Sequence, residues 1–386
     1  MTHTRDNKSA FSSASNQRRR SALSKSFPDI PGQPISRQKG RGSPSNRSGQ
    51  FENLQRERVD DGWDNLEQKE VLKTEIQTER AKSIITRNNS PDISFDRSIN
   101  PYRGCEHGCI YCYARPTHSY LGLSPGLDFE TRLFAKTNAP ELLWKELAKP
   151  GYVPKPIALG TNTDPYQPLE KDFEITRQIL EILEATRHPA TIVTKSQMIT
   201  RDLPLLTRMA NRNLVKVAIS VTSLDHRFAR KLEPRATTPK KRLEALRQLS
   251  DAGIPTAVMV APIIPALNTH EIEAILQAAK AAGVQEAGYV ILRLPPEVRD
   301  LFVEWLRAEF PSSTNRVLAQ VLDIREGKAY RAEWGERMRG RGAFADSIAD
   351  RFELTRKKLQ LGIRELRLNT DDFKAPSVPG AQLNLF

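Results

Sequence analysis

Val215-Lys216-Val217-Ala218-Ile219-Ser220-Val221, a helical pattern over 239–252, and then Thr256-Ala257-Val258-Met259-Val260-Ala261-Pro262 read together as strand, helix, strand. Val and Ile dominate both apolar runs without sustained polar alternation, as a strand covered on both faces requires. Pro239 suits the first turn of the helix and Gly253 its C-terminal stop. Equivalent runs lie at 157–160, 190–194 and 288–293, with helical patterns at 169–186, 201–210, 269–282 and 296–309. Asn268 with Glu271 resembles a capping box for the helix at 269–282. With one more strand expected before residue 105, this makes about six βα units. Such a run closes, or nearly closes, a parallel barrel: an α/β fold of partial (β/α)6 TIM type over 96–310. An open doubly wound sheet is the rival. In both, ligands sit at the C-terminal ends of the strands, so chemistry is sought just after each run.

The flanks differ in texture. The net charge is +13 over 386 residues, yet residues 1–50 hold ten Lys/Arg against two Asp/Glu, together with eleven serines and few large apolar side chains. That composition predicts a disordered basic arm over 1–50. A solvated tail, an electrostatic arm for nucleic acid and an Arg- and Ser-rich transit peptide all fit it. Residues 51–95 read as a mixed-charge connector, part helical, and 311–386 as a C-terminal extension with an Arg/Gly-rich segment at 325–342. No window reaches 18 uninterrupted apolar residues, so no membrane span is expected.

Three cysteines, Cys105, Cys109 and Cys112, fall within eight residues of Asn100-Pro101-Tyr102-Arg103-Gly104-Cys105-Glu106-His107-Gly108-Cys109-Ile110-Tyr111-Cys112-Tyr113. An odd count in one loop is no disulfide framework and points to a metal site in a reducing, cytoplasmic compartment. Three thiolates can hold three irons of a 4Fe-4S cubane and leave the fourth open. Gly104 and Gly108 let the backbone wrap closely. The competing reading is a nucleic-acid-binding protein whose structural zinc knuckle is completed by His107 or His118.

The C-x3-C-x-aromatic-C motif, with Tyr111 before the third cysteine, resembles the radical SAM superfamily. Tyr-Cys-Tyr at 111–113 and Gly-Thr-Asn-Thr-Asp-Pro-Tyr-Gln-Pro at 160–168 are similar to its spore photoproduct lyase-related branch. The resemblance covers 96–300 and implies a partial barrel of the radical SAM kind. It implies a 4Fe-4S cluster on Cys105, Cys109 and Cys112 that reductively cleaves S-adenosylmethionine to a 5′-deoxyadenosyl radical. It further implies cofactor contacts from Tyr111 (adenine), Thr163 and Asp164 (methionine amino group), Lys195 (carboxylate) and Ser220 (ribose or carboxylate). Tyr111 and Tyr113 are implied as candidate catalytic radical relays, and a flavodoxin or ferredoxin as reductant. Read without the resemblance, residues 160–168 also fit a capped turn, Lys195 a solvated cation and Ser220 a hydroxyl bonded to the neighbouring backbone. The chain departs from the lyase in one respect: no cysteine is left over as a hydrogen donor, and Thr161 stands about where that enzyme carries it. No cysteine is left for an auxiliary cluster either. Arg242 reads as an exterior, salt-bridging position, and His188 as surface or structural.

Overall fold

The computed structural model describes residues 26–27, 39–52, 72–362 and 367–377. Its centre is a seven-stranded sheet with six parallel strands: β3 (Arg97–Ile99), β6 (Ile157–Leu159), β7 (Ala190–Thr194), β8 (Val215–Ser220), β9 (Thr256–Ile263) and β10 (Glu286–Ile291). The antiparallel β2 (Ile85–Arg87) closes the β3 edge. Among the described residues β10 pairs with β9 only, so the sheet is a barrel left open on one side. The six βα units read from the sequence are therefore these six strands.

Burial explains why the apolar runs were legible: β6 is buried on both faces, through Ile157, Ala158 and Leu159, and β8 chiefly on one. Val215, Val217 and Ile219 of β8 are fully buried. Each such side chain contributes about 1.5–3 kcal/mol of hydrophobic stabilisation. Outer helices cover the sheet through their own apolar stripes, as Ile175–Ala185 does with Ile179, Leu180 and Leu183. Gly253 and Gly283 take the left-handed φ values of +75° and +84° that stop their helices.

A second sheet lies beside the barrel: β1 (Glu75–Glu79), β5 (Arg132–Lys136) and β4 (Tyr102–Arg103), in the order β1-β5-β4. β4 runs straight into Gly104-Cys105 and so sets the direction of the cysteine loop. The connector expected to be part helical instead supplies β1 and β2; its residues 53–71 lie outside those described.

One further expectation is corrected. The disordered arm was drawn over 1–50, but residues 39–50 lie against the barrel; of residues 1–38, only 26 and 27 are described. Arg41 donates to the carbonyls of Glu130 (3.0 Å) and Leu72 (2.9 Å). The Gly42 and Ser43 amides donate to the Glu130 carboxylate at 2.9 and 2.8 Å. Asn46 bonds Asp128 through its side chain, and Arg47 pairs with Glu304. Composition could not show this, because the contacts are made by main-chain amides and by cations, with no apolar signature. The described part of the C-terminal extension also packs on the barrel. Helix Thr314–Asp323 joins a second apolar cluster with Tyr111, Cys109, Leu292 and Phe302. Helix Ala343–Lys358 brings Phe352 to 4.6 Å from Tyr289 of β10.

Candidate active site at the cysteine loop

The loop is held from four sides. Tyr102, just before it, donates its hydroxyl to Glu170, a buried carboxylate that also accepts the Thr176 amide (2.9 Å) at the start of helix Ile175–Ala185. The Cys105 amide donates to the Phe129 carbonyl at 2.9 Å, and Ile110 to Leu232 at 3.1 Å. Gln167 reads two loop groups at once, donating to the Gly104 carbonyl (3.1 Å) and accepting the Glu106 amide (3.0 Å). Behind the loop, Arg115 donates to the Cys109 carbonyl at 2.9 Å and pairs with Glu130 at 2.5 Å, both side chains fully buried. Gly104 and Gly108 turn with φ of +73° and +66°. Residue 42 must also be glycine, since a Cβ there would lie 1.7 Å from the Gly108 carbonyl oxygen.

Cys105 and Cys109 are buried and Cys112 is half-buried. Burial pushes the Cys109 thiol up to about 12, with Glu233 adding to the effect and Lys195 opposing it. Cys105 is pushed well up by burial, by Asp164 and by Cys109. A cluster on these cysteines would bind them as thiolates and so would have to displace protons that burial holds in place. Each histidine of the zinc reading has one ring nitrogen turned to another group, and His118 Nδ1 is buried without a hydrogen-bond partner. His118 Nε2 bonds the Arg132 carbonyl at 2.8 Å and its ring stands edge-on to Phe129, while His107 Nδ1 faces Asp164 at 3.3 Å. Among the described residues, no three His, Cys, Asp or Glu side chains are gathered around one point as ligands of a single ion.

The ends of β6, β7 and β8 bring the other sequence-derived residues to this loop. Thr163 is buried and donates to the Tyr102 carbonyl at 3.1 Å. Asp164 accepts the Thr194 hydroxyl (2.6 Å) and the Lys195 amide (2.8 Å), tying β6 to β7. Burial would raise its pKa, but His107, the Thr194 hydroxyl and the Lys195 amide outweigh this and hold it at about 2. Lys195 places its ammonium 5.9 Å from the centre of the Tyr111 ring. Burial works against that charge, yet Cys109 and Glu233 more than restore it and raise the Lys195 pKa.

Tyr111 donates its hydroxyl to Glu233, which also accepts the Thr222 hydroxyl at 2.6 Å and pairs with Arg242. Arg242 in turn donates to the Ser220 carbonyl at 3.0 Å. The buried phenol is pushed well up, by burial first and then by Cys109 and Glu233, so it stays a protonated donor. This corrects the exterior reading of Arg242, which is 1% exposed and is the counter-ion of a buried carboxylate. Asn268 is also reassigned. It makes no side-chain cap; it accepts the Ile264 amide (2.6 Å) and donates to the Thr222 carbonyl (2.7 Å), joining the ends of β8 and β9. Glu271 takes the Ser223 hydroxyl and the Leu224 amide in place of a capping box. Tyr113 is half-exposed at the rim, donates to the Thr161 carbonyl and lies under Arg293.

Sequence reasoning missed Glu233, Gln167, Arg115 and Glu130. Gln167 lay inside the quoted 160–168 segment, and Arg115 stands three residues after Cys112, where a buried cation needs an acid.

Comparison with known proteins now bears on this geometry. The sequence profile of the radical SAM superfamily matches residues 99–279. An uncharacterised protein of Mycobacterium tuberculosis (strain ATCC 25618 / H37Rv) is 37% identical over 230 residues, covering 59% of this chain and 68% of the relative. One of Methanocaldococcus jannaschii is 30% identical over 195 residues, covering 50% and 70%. The solved structure of spore photoproduct lyase complexed with dinucleoside spore photoproduct has a TM-score of 0.52 at 17% identity, covering 74% of this chain and 79% of that one, and so shares the fold. A barrel open on one side, three thiols in the connection after its first parallel strand and a superfamily profile spanning both lead to one assignment: the chain belongs to the radical SAM superfamily and is an enzyme.

Proposed function

We propose that Cys105, Cys109 and Cys112 hold a 4Fe-4S cluster and that the ends of β6, β7 and β8 hold S-adenosylmethionine beside it. When bound, the two would supply reductive cleavage of the sulfonium to methionine and a 5′-deoxyadenosyl radical, which takes hydrogen from a substrate in the barrel. The protein's share is binding, orientation and shielding. The Thr163 hydroxyl and the Asp164 carboxylate, which keeps its charge at any ordinary pH, offer acceptors for the amino group. The Lys195 ammonium, held charged by its surroundings, is a partner for the carboxylate. Ser220 is the last residue of β8, and its carbonyl is held by Arg242. Tyr111 packs with Cys109, and its proton is kept on the phenol by Glu233.

The observation that supports this reading most is the placement of Lys195 and protonated Tyr111 around Cys109, with Asp164 behind them. The fold shared with spore photoproduct lyase supports a place in that branch, but this chain has no fourth cysteine to return hydrogen to a product radical. Tyr113, half-exposed and next to Cys112, is the proposed relay in its place. An external one-electron donor such as flavodoxin or ferredoxin, and a reducing compartment, fit a chain whose three cysteines all lie in this one loop. Among the described residues, no helix is long and apolar enough to cross a membrane. Substituting Thr163 or Lys195 by Ala tests the cofactor site: S-adenosylmethionine binding should weaken while iron content holds. Normal binding in both variants would remove these residues from the site.

A further inference from the structure

Arg293 stands two residues past the end of β10, the edge strand of the barrel. Its guanidinium lies 5.2 Å from the centre of the Tyr113 ring. Its own contacts are weak: the Met338 sulfur at 3.6 Å and the Tyr330 hydroxyl at 3.4 Å. Its Nε is buried with no hydrogen-bond partner, and among the described residues no carboxylate pairs with it. A half-buried guanidinium with an unused donor can take an anion, since Asp92, the acid that feels its charge, bonds Arg337 and the Gly335 amide instead.

The segment over it reinforces the deficit. Residues 325–342 carry six Lys/Arg against three Asp/Glu. The acids are largely committed: Glu336 to Arg331 and Arg341, Glu326 to Arg331. Arg337 takes Asp92 from outside the segment. Arg325 is buried and bonds only carbonyls, those of Leu292, Glu336 and Arg337. Burial first, and then the charge of Arg293, bring its pKa down to about 10. Flat rings are interleaved with this charge. Trp334 is 58% exposed, and with Tyr330, Lys328 and Arg331 it lines an open hollow of about 530 Å³. Tyr330 is the residue that touches Arg293, so hollow and guanidinium are continuous.

A guanidinium fork fits two phosphate oxygens, and exposed rings beside cations offer stacking faces to bases. We propose that Arg293 and the 325–342 segment form a substrate site for a nucleotide, with the phosphate on Arg293 and the base against Trp334 and Tyr330. This deepens the proposed function and rests on it, because the site borders Tyr113 and hence Cys112. The nucleotide can be free or part of a single strand.

The test uses the full-length, cluster-loaded chain under anaerobic conditions, with Trp fluorescence and calorimetry as readouts. The probes are uridine, uridine 5′-monophosphate and a short oligouridylate. Uridine 5′-monophosphate should bind about tenfold or more tighter than uridine. Arg293→Ala should bring that ratio close to one, Arg293→Lys should restore part of it, and Trp334→Ala should weaken both ligands alike. Tighter, salt-sensitive binding of the oligouridylate assigns a strand, and equal binding assigns a free nucleotide. Equal binding of uridine and its monophosphate by the wild-type chain, or an unchanged ratio in Arg293→Ala, overturns the proposal. Should Arg293→Ala lose its iron, Lys328→Ala and Trp334→Ala decide instead, and unchanged binding in both overturns it. Iron content and 5′-deoxyadenosine are scored in the same preparations. A chain lacking both fails the function reading, while nucleotide binding is still measured on its own.

Discussion

Substituting Glu130 by Gln should loosen the cysteine loop although residue 130 touches no cysteine side chain. Glu130 is fully buried, accepts the amides of Gly42 and Ser43 at 2.9 and 2.8 Å, and pairs with fully buried Arg115 at 2.5 Å. Gln keeps the shape but removes the charge, and one of its ends becomes a donor facing donors. Neutralising one member of a buried pair costs about 3–5 kcal/mol, because the other charge stays buried. A strap amide left without its acceptor adds about 1–3 kcal/mol, not fully additively. Against a total of about 5–15 kcal/mol for a domain, this is a large share. Urea unfolding of the variant should show the loss. Chelator-driven iron release from the loaded chain should quicken by about a hundredfold if local opening of the loop limits it, since 1.4 kcal/mol is a factor of ten. Removing residues 1–50 should act in the same direction, while removing 1–25 should not. An unfolding free energy within about 0.5 kcal/mol of wild type, with unchanged iron release, would refute the reasoning and return residues 39–50 to the status of a spare tail.

Arg242→Leu should cost about 3–5 kcal/mol by urea unfolding and weaken S-adenosylmethionine binding, because it strands the buried Glu233 beside Tyr111; an exterior arginine would change neither. Gly42→Val should speed iron release without changing the charge of the strap, since its Cβ meets the Gly108 carbonyl. His188 gives a pH signature. It is buried, bonds Pro189 and Tyr152, and its pKa is lowered to about 4, by burial first. Below pH about 6.5 the unfolded chain takes up a proton that the folded chain refuses. Stability should therefore fall from pH 7 to pH 5 by about 2 kcal/mol from this group, and His188→Asn should flatten that slope.

The barrel strands were legible because covered strands are dominated by apolar residues without sustained polar alternation, as 256–262 is after Thr256 and 215–221 is apart from Lys216 and Ser220. The cysteine loop was legible from its spacing, whereas Thr163, Asp164 and Lys195 were singled out only through the resemblance to the spore photoproduct lyase-related branch. The buried ionic network was not. Arg242 sits in a helix rich in Lys and Arg, where nothing local marks one cation as turned inward, and its partner Glu233 lies before that helix. The false capping box at Asn268 and Glu271 had the right spacing, but both side chains serve the strand ends behind them instead of the helix. The strap at 39–50 looked like the rest of a basic terminus because backbone amides, which every residue carries, make its main contacts with Glu130.

The central claim is tested most directly by product analysis of the anaerobically reconstituted, chemically reduced chain given S-adenosylmethionine. The account predicts about four irons and four sulfides per chain, together with 5′-deoxyadenosine and methionine in equal amounts, and loss of both products in Cys109→Ala. Stoichiometric zinc that excludes iron, with S-adenosylmethionine left intact, would contradict it.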